Sequence, residues 1–346
     1  MALHCLSLTP SRSCNDGPGR GQPSLVDARA MSARCAMVAR MLEITVRAEI
    51  GWQRFVRPGI EELGALVSGL GERGNRFLTI QRIPDLPDHF IQTWHEAGGA
   101  YVVEYRDGGQ DRQFESTLDG PEQVLAALTA WADGGSEWGS AWDWRPMDLE
   151  AAEPVAALDL AEKEHILLEQ RVRLAIVAGY DGREQLNELA QEYLVTKERR
   201  PVSAAQAGQL VDRLWLERVA EQSAWVGETD PERLTRAFLA LEGSGVTARE
   251  NFTCCRSCGQ AEIGAAGPSD ARGFVYFHQQ CTDAAAAGHG LMLLYGGFDG
   301  TAETTASIGR AVVTALDAVE LPACWDGDPS RGVEVKPMDW RKRLVG

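Results

Sequence analysis

The sequence is short of positive charge. It has 34 basic residues against 50 acidic ones, a formal net charge of −16, and only four lysines (Lys163, Lys197, Lys336, Lys342). A field of this sign repels phosphate backbones and anionic lipid surfaces. We therefore expect an acidic protein with neither nucleic acid nor a membrane surface as its partner.

Long apolar runs are also missing. No stretch approaches the roughly 20 consecutive apolar residues that a membrane-spanning helix needs, and the N-terminus lacks the continuous apolar segment of a secretion signal. Hydrophobic residues nevertheless make up 44% of the chain, which is ample for folded cores. These features predict a soluble, cytoplasmic protein.

Familiar catalytic signatures are absent as well. The chain contains no G-x-S-x-G nucleophile elbow and no phosphate-binding P-loop. Gly69, Gly71 and Gly74 match the spacing of a dinucleotide-binding loop, but they end a predicted helix and precede a strand, the reverse of the order that such a loop requires. The sequence therefore predicts no catalytic residues and favours a protein that is not an enzyme.

Residues 1–40 differ in composition from the rest. They are rich in Pro, Gly and Ser and carry five Arg against two Asp, so the remainder of the chain has a net charge of −19. Two interpretations stay open: a disordered leader, or a start codon placed too early, with Met37 or Met41 as the true beginning. In either case the predicted fold begins at residue 41.

Residues 41–150 predict a small α+β domain. Strict alternation from Leu42 to Ile50 indicates a strand with one buried face, and the apolar spacing from Ile60 to Leu70 indicates a helix. Four further strands are predicted, and Pro121 is suited to the first turn of a second helix. We expect a mostly antiparallel sheet with covering helices.

The remaining residues, 151–346, predict a second domain. Residues 151–245 have helical periodicity, and residues 246–346 have the short apolar runs of an α+β unit. Both halves of the protein end in Pro-Met-Asp, at 146–148 and 337–339. The shared ending fits either duplication of one ββ(β)αβ unit or two ordinary α+β layouts that look alike.

The strongest chemical signal is a cluster of Cys and His. Cys255 and Cys258 have the C-x-x-C spacing of two zinc ligands, and their surroundings resemble a zinc-ribbon hairpin. His278 and Cys281 supply a second pair, so the four residues predict a closed, structural zinc site. Cys254 is the substitute ligand, because adjacent residues of a strand face opposite ways and the spacing favours Cys255.

Two other interpretations of these cysteines stay open. They could be buried or reactive thiols without metal, or a dithiol redox centre. The redox interpretation is the least favoured, because a redox pair of this spacing sits at the start of a helix and a strand-like run follows Cys258.

Two segments carry a resemblance to a known family. The runs LVDRLWLERVAEQSAW and GVTARENFTCCRSCGQAEIG resemble a mainly actinobacterial family of unknown function, the domain of unknown function numbered 6891. The likeness covers about residues 160–346, and it implies no activity, substrate or ligand. Residues 42–150 resemble no family.

The sequence thus favours a non-enzymatic protein-binding or regulatory protein with a zinc site. One alternative is a thiol-dependent enzyme, with Cys255 or Cys258 as nucleophile and His278 as base. A second alternative is an immunity or antitoxin-like protein, with which acidity and small antiparallel sheets are compatible. The expected partner is a protein, whose identity the sequence does not contain.

Overall fold

The structure is a computed structural model that describes residues 40–135, 137–151 and 153–345. The leader predicted at 1–40 therefore lies outside the described residues, apart from Arg40. From residue 41 onward the chain forms one compact unit.

An antiparallel sheet opens this unit. Within the described ranges it has seven strands, in the order β2-β1-β3-β4-β5-β6-β7. The strands are β1 (Ile44–Ala48), β2 (Arg54–Val56), β3 (Phe77–Arg82), β4 (His89–His95), β5 (Tyr101–Asp107), β6 (Gln113–Leu118) and β7 (Arg145–Pro146). The antiparallel sheet predicted from alternation is confirmed.

Two helices cover one face of this sheet. Helix α1 spans Ile60–Ser68 and helix α2 spans Pro121–Asp133. They bury the apolar side of the strands, including Ile44 and Val46 of β1, in one core. Pro121 occupies the first turn of α2, as predicted.

A group of three helices follows. They are α3 (Glu162–Ala178), α4 (Arg183–Glu192) and α5 (Ala204–Gln222), and they share a core of their own. A capping box is present at the start of α5, where the Ser203 hydroxyl accepts a hydrogen bond from the Gln206 N–H. No helix among the described residues is long and apolar enough to cross a membrane.

A second sheet completes the fold. In the described part of the chain its five strands have the order β11-β12-β10-β9-β8, with β8 parallel to β9 and the other pairs antiparallel. The strands are β8 (Val246–Arg249), β9 (Gly273–Tyr276), β10 (Leu291–Gly297), β11 (Ala323–Cys324) and β12 (Val333–Val335). The α+β class is thereby confirmed.

The two faces of the second sheet are covered differently. Helices α6 (Asp230–Gly243), α8 (Gln279–Ala286) and α9 (Ala302–Asp317) contribute to the large core on one face. On the other face a small cluster joins Ile263 to Phe274 and Tyr276. The short helix α7 (Arg256–Glu262) directly precedes Ile263 and carries Cys258.

Two details of the sequence interpretation differ from the structure. The zinc-ribbon-like hairpin is wrong: residues 250–255 form bends, and Arg256–Glu262 form helix α7. The strand assignment depended on the three residues Ala261 to Ile263, too few to separate a strand from a helix by period. The predicted duplication is not seen in the topology: α8 lies between β9 and β10, whereas β4, β5 and β6 follow one another with no such helix between them.

Candidate metal centre

Three cysteine side chains converge at the start of α7. The Sγ atoms of Cys254, Cys255 and Cys258 all lie within 4.8 Å of one another, and those of Cys254 and Cys258 are 3.5 Å apart. Two sulfurs bound to one tetrahedral zinc ion are about 3.8 Å apart, given zinc–sulfur bonds of about 2.3 Å. The three sulfurs therefore have the spacing that a shared ion requires, and the cluster could hold a metal ion.

A strained loop brings Cys254 into the cluster. Asn251 and Thr253 have positive φ angles of 46° and 61°, which non-glycine residues rarely adopt. The loop is attached to α8, because the Thr282 hydroxyl donates to Asn251 Oδ1 at 2.8 Å and the Gln279 N–H donates to the Thr253 carbonyl at 3.1 Å. These contacts turn the chain so that Cys254 and Cys258 face each other.

Gly259 lets α7 lie directly on the sheet. A Cβ at this position would be 2.5 Å from Cε2 of Tyr276. The Tyr276 hydroxyl also donates a hydrogen bond of 3.3 Å to the Arg256 carbonyl. Gly259 therefore serves close packing within helix α7.

Two of the three thiols, those of Cys255 and Cys258, differ in acidity. The pKa of Cys255 is lowered, first by the backbone N–H of Cys258 and then by the thiols of Cys258 and Cys254. Hydrogen bonds with the Cys254 and Cys255 thiols raise the pKa of Cys258 to about 11. Cys255 therefore becomes the thiolate that metals bind more readily than Cys258, and loading Cys258 with a metal must release a proton.

The other two predicted ligands form a separate pair. His278 precedes α8, with its Nε2 3.5 Å from Cys281 Sγ, and both residues are buried. Burial, followed by the charge of Arg256, lowers the pKa of His278, and burial raises the pKa of Cys281. The structure therefore pairs a neutral imidazole with a thiol, and the group of converging metal ligands in the described residues does not include them.

One atom of this pair lacks a partner. His278 Nδ1 is buried, and it has no hydrogen-bond partner among the described residues. The thiol-enzyme alternative needs this imidazole to contact Cys255 or Cys258. Its Nε2 instead contacts Cys281, so the structure does not assemble that dyad.

Sequence reasoning ranked Cys254 too low. It treated Cys254 and Cys255 as neighbours on a strand, which point to opposite faces, whereas the chain bends here and enters a helix. The available signal was the spacing of four residues between Cys254 and Cys258, which places two side chains on one side of a helical turn.

Comparisons with known proteins bear on the C-terminal part of the chain. No curated protein and no solved structure matches the chain. The family model described as Domain of unknown function (DUF6891) matches residues 161–344, more than half of the sequence. This range contains the three converging cysteines together with His278 and Cys281, and it excludes the antiparallel sheet. The chain thus belongs to the DUF6891 family.

Proposed function

We propose that this chain is a non-enzymatic protein-binding or regulatory protein whose C-terminal domain is organised by a zinc ion. The observation that carries the proposal is the convergence of Cys254, Cys255 and Cys258. Thiolates are soft ligands that select zinc over magnesium or calcium, and three of them fill three positions of a tetrahedron. The donor set therefore fits zinc.

His278 is proposed as the fourth ligand, which requires its imidazole to move toward the three sulfurs, because its ring nitrogens lie outside the converging group. Its Nδ1 is buried without a hydrogen-bond partner, and its neighbour Gln279 is hydrogen-bonded to the loop that carries Cys254. In this arrangement Nδ1 binds the zinc ion and Nε2 contacts the Cys281 sulfur, which orients the imidazole. Zinc-binding histidines are commonly oriented by a contact at the ring nitrogen that does not bind the metal. The proposed site keeps the predicted Cys₃His composition, with Cys254 in the place of Cys281.

A closed site of this kind serves structure rather than catalysis. With four protein ligands, zinc has no open position for a substrate. The ion would connect α7 and its preceding loop to the start of α8, two segments that otherwise share only a few hydrogen bonds. For this reason the proposal is non-enzymatic.

A protein partner is part of the same proposal. On the face of the first sheet that points away from α1 and α2, Phe77 and Trp94 are paired across β3 and β4, and Trp94 is 41% exposed. Exposed aromatic side chains are enriched where proteins bind one another. The net charge of −16 favours a partner with a basic surface.

Metal analysis tests the proposal. The purified chain should contain about one zinc ion, Cys254→Ser and Cys258→Ser should lose it, and Cys324→Ser should retain it, because Cys324 is outside the cluster. A strong chelator should lower the melting temperature of the wild type but not of Cys258→Ser. Stoichiometric zinc in Cys258→Ser, or none in the wild type, would contradict the proposal.

The fourth ligand needs a separate variant. His278→Ala should weaken zinc binding by about 10-fold or more while leaving the three-sulfur site partly competent, measured by competition with a chromogenic chelator. His289→Ala is the matched control, because His289 is exposed at the far end of α8. Equal affinities in the two variants would remove His278 from the site.

A further inference from the structure

The three converging cysteines can undergo a second kind of chemistry. We propose that Cys254 and Cys258 are a redox-active pair, which forms an intramolecular disulfide on reaction with a peroxide or a small-molecule disulfide. The inference concerns the sulfurs of the proposed zinc site, but the bond can form whether or not metal is bound. Oxidation would remove two of the three sulfur ligands and so release the ion.

The positions of the two sulfurs favour this bond. They are 3.5 Å apart, and a disulfide bond is about 2.05 Å long, so a rotation of the side chains brings them together. Cys258 is held in α7, whereas Cys254 lies in the bends before the helix, where no helical hydrogen bond restrains it. Rotation of the Cys254 side chain can therefore bring its sulfur to that of Cys258.

Accessibility distinguishes this pair from the buried cysteine. Cys254 is exposed, so a dissolved oxidant can reach its sulfur. Cys281 is buried beside His278 and does not join the group of three. Cys255 neighbours Cys254 directly in sequence, and a disulfide between adjacent residues requires a distorted peptide geometry. The sulfur that Cys254 contacts is that of Cys258, at 3.5 Å, so the first oxidation product is expected to be the Cys254–Cys258 bond.

The reaction balances with either oxidant. With hydrogen peroxide, the Cys254 sulfur attacks one oxygen and becomes a sulfenic acid while the O–O bond breaks and water leaves. Cys258 then attacks that sulfur, the S–O bond breaks, and a second water leaves. With a small disulfide, two exchanges convert it into two thiols. The protein loses two electrons in both cases, and zinc leaves as the unchanged divalent ion.

The test uses the reduced full-length chain and stoichiometric hydrogen peroxide. Free thiols are alkylated afterwards, and peptide mass spectrometry assigns each cysteine. We expect a Cys254–Cys258 crosslink with Cys255 alkylated, reversal by dithiothreitol, and zinc release in proportion to the crosslink. Cys258→Ser should form no such crosslink, and the control Cys324→Ser should behave like the wild type.

The outcomes separate the two proposals. A crosslink in chelator-treated protein, together with a wild type that never binds zinc, would support the redox pair and remove the zinc site. The redox pair alone would be overturned if the wild type bound zinc and Cys254 and Cys258 stayed reduced at a peroxide dose that oxidises the free amino acid cysteine. A crosslink elsewhere, for example between Cys255 and Cys258, would also overturn it.

Discussion

At the residue scale, the site depends on the absence of a side chain at Gly259. Tyr276 is fully buried and fills the space where a Cβ would lie. Alanine is the better helix former by about 1 kcal/mol, so local propensity alone favours it at this position within α7. Glycine is explained by packing against β9.

This packing predicts the effect of Gly259→Ala. Steric conflict with Tyr276 should outweigh the gain in helix propensity and lower the free energy of unfolding by about 1–2 kcal/mol. Chemical denaturation would measure the change. Gly264→Ala is the matched control, because a Cβ there has no atom within 4 Å. If both substitutions had the same effect, α7 would not lie on Tyr276 as described.

At the scale of elements, charged side chains connect α3 to α5. Glu169 accepts hydrogen bonds from Arg173 of its own helix at 3.0 Å and from Arg213 of α5 at 2.8 Å. Glu217 accepts from the same two arginines, at 2.8 and 3.2 Å. The pKa of Glu169 is lowered, first by Arg213 and then by Arg173.

A lowered carboxyl pKa gives a defined pH dependence. The stabilisation by Glu169 is complete above the ordinary value of 4.5 and is lost as the pH falls through the lower value of the folded state. Glu169→Gln should therefore reduce stability by about 0.5 kcal/mol at pH 7 and low salt, and the difference should vanish in strong acid.

Salt and a control variant sharpen this test. Because the four side chains are partly exposed, 1 M salt should shrink the difference between the wild type and Glu169→Gln, as seen in melting temperature. Glu188→Gln, on the exposed side of α4, should change stability little at any pH. An undiminished difference in acid or in high salt would exclude the ion pairs as its cause.

At the scale of the whole molecule, Arg183 joins the first sheet to the helices. Its Nε donates to the Asp85 carboxylate and its NH1 to the Asp212 carboxylate of α5, both at 2.7 Å. Trp215 of α5 donates to the Asp85 carbonyl at 2.7 Å. Asp85 lies outside the matched family range, whereas Arg183 lies inside it, so this joint connects the family domain to the preceding sheet.

Removing the arginine should uncouple this joint. Asp85 is 3% exposed, and Arg183→Met would remove the guanidinium that donates to its buried carboxylate. We expect a loss of about 3 kcal/mol at pH 7, measured by chemical denaturation. Arg200→Met, which removes an exposed pair with Glu192, should cost little.

The pKa of Asp85 is shifted in the opposite direction to that of Glu169. Burial raises the pKa of Asp85, and Arg183 partly opposes that effect. Without Arg183 the pKa of Asp85 should rise further. Protonation of Asp85 at acid pH should therefore reduce the loss of stability caused by Arg183→Met, and deprotonation at neutral pH should bring that loss back. If the loss of stability in Arg183→Met did not change between pH 4 and pH 7, the charge of Asp85 would not be the cause of that loss.

The sequence by itself determined most of the helices and strands and two of the candidate metal ligands. Apolar alternation predicted β1, helical spacing predicted α1, and Pro121 predicted the start of α2. Such patterns are local, because one buried face imposes its period on consecutive residues. Cys255 and Cys258 were likewise visible as candidate metal ligands from their spacing alone.

Only the tertiary structure decided which side chains meet. Cys254 joins the cluster because the loop at Asn251 is attached to α8, and α7 forms against Tyr276 from a stretch too short to show its period. His278 contacts Cys281 rather than the three converging cysteines, and Arg183 pairs with Asp85, which is 98 residues away in the sequence. These arrangements depend on contacts between distant segments, which no local pattern encodes.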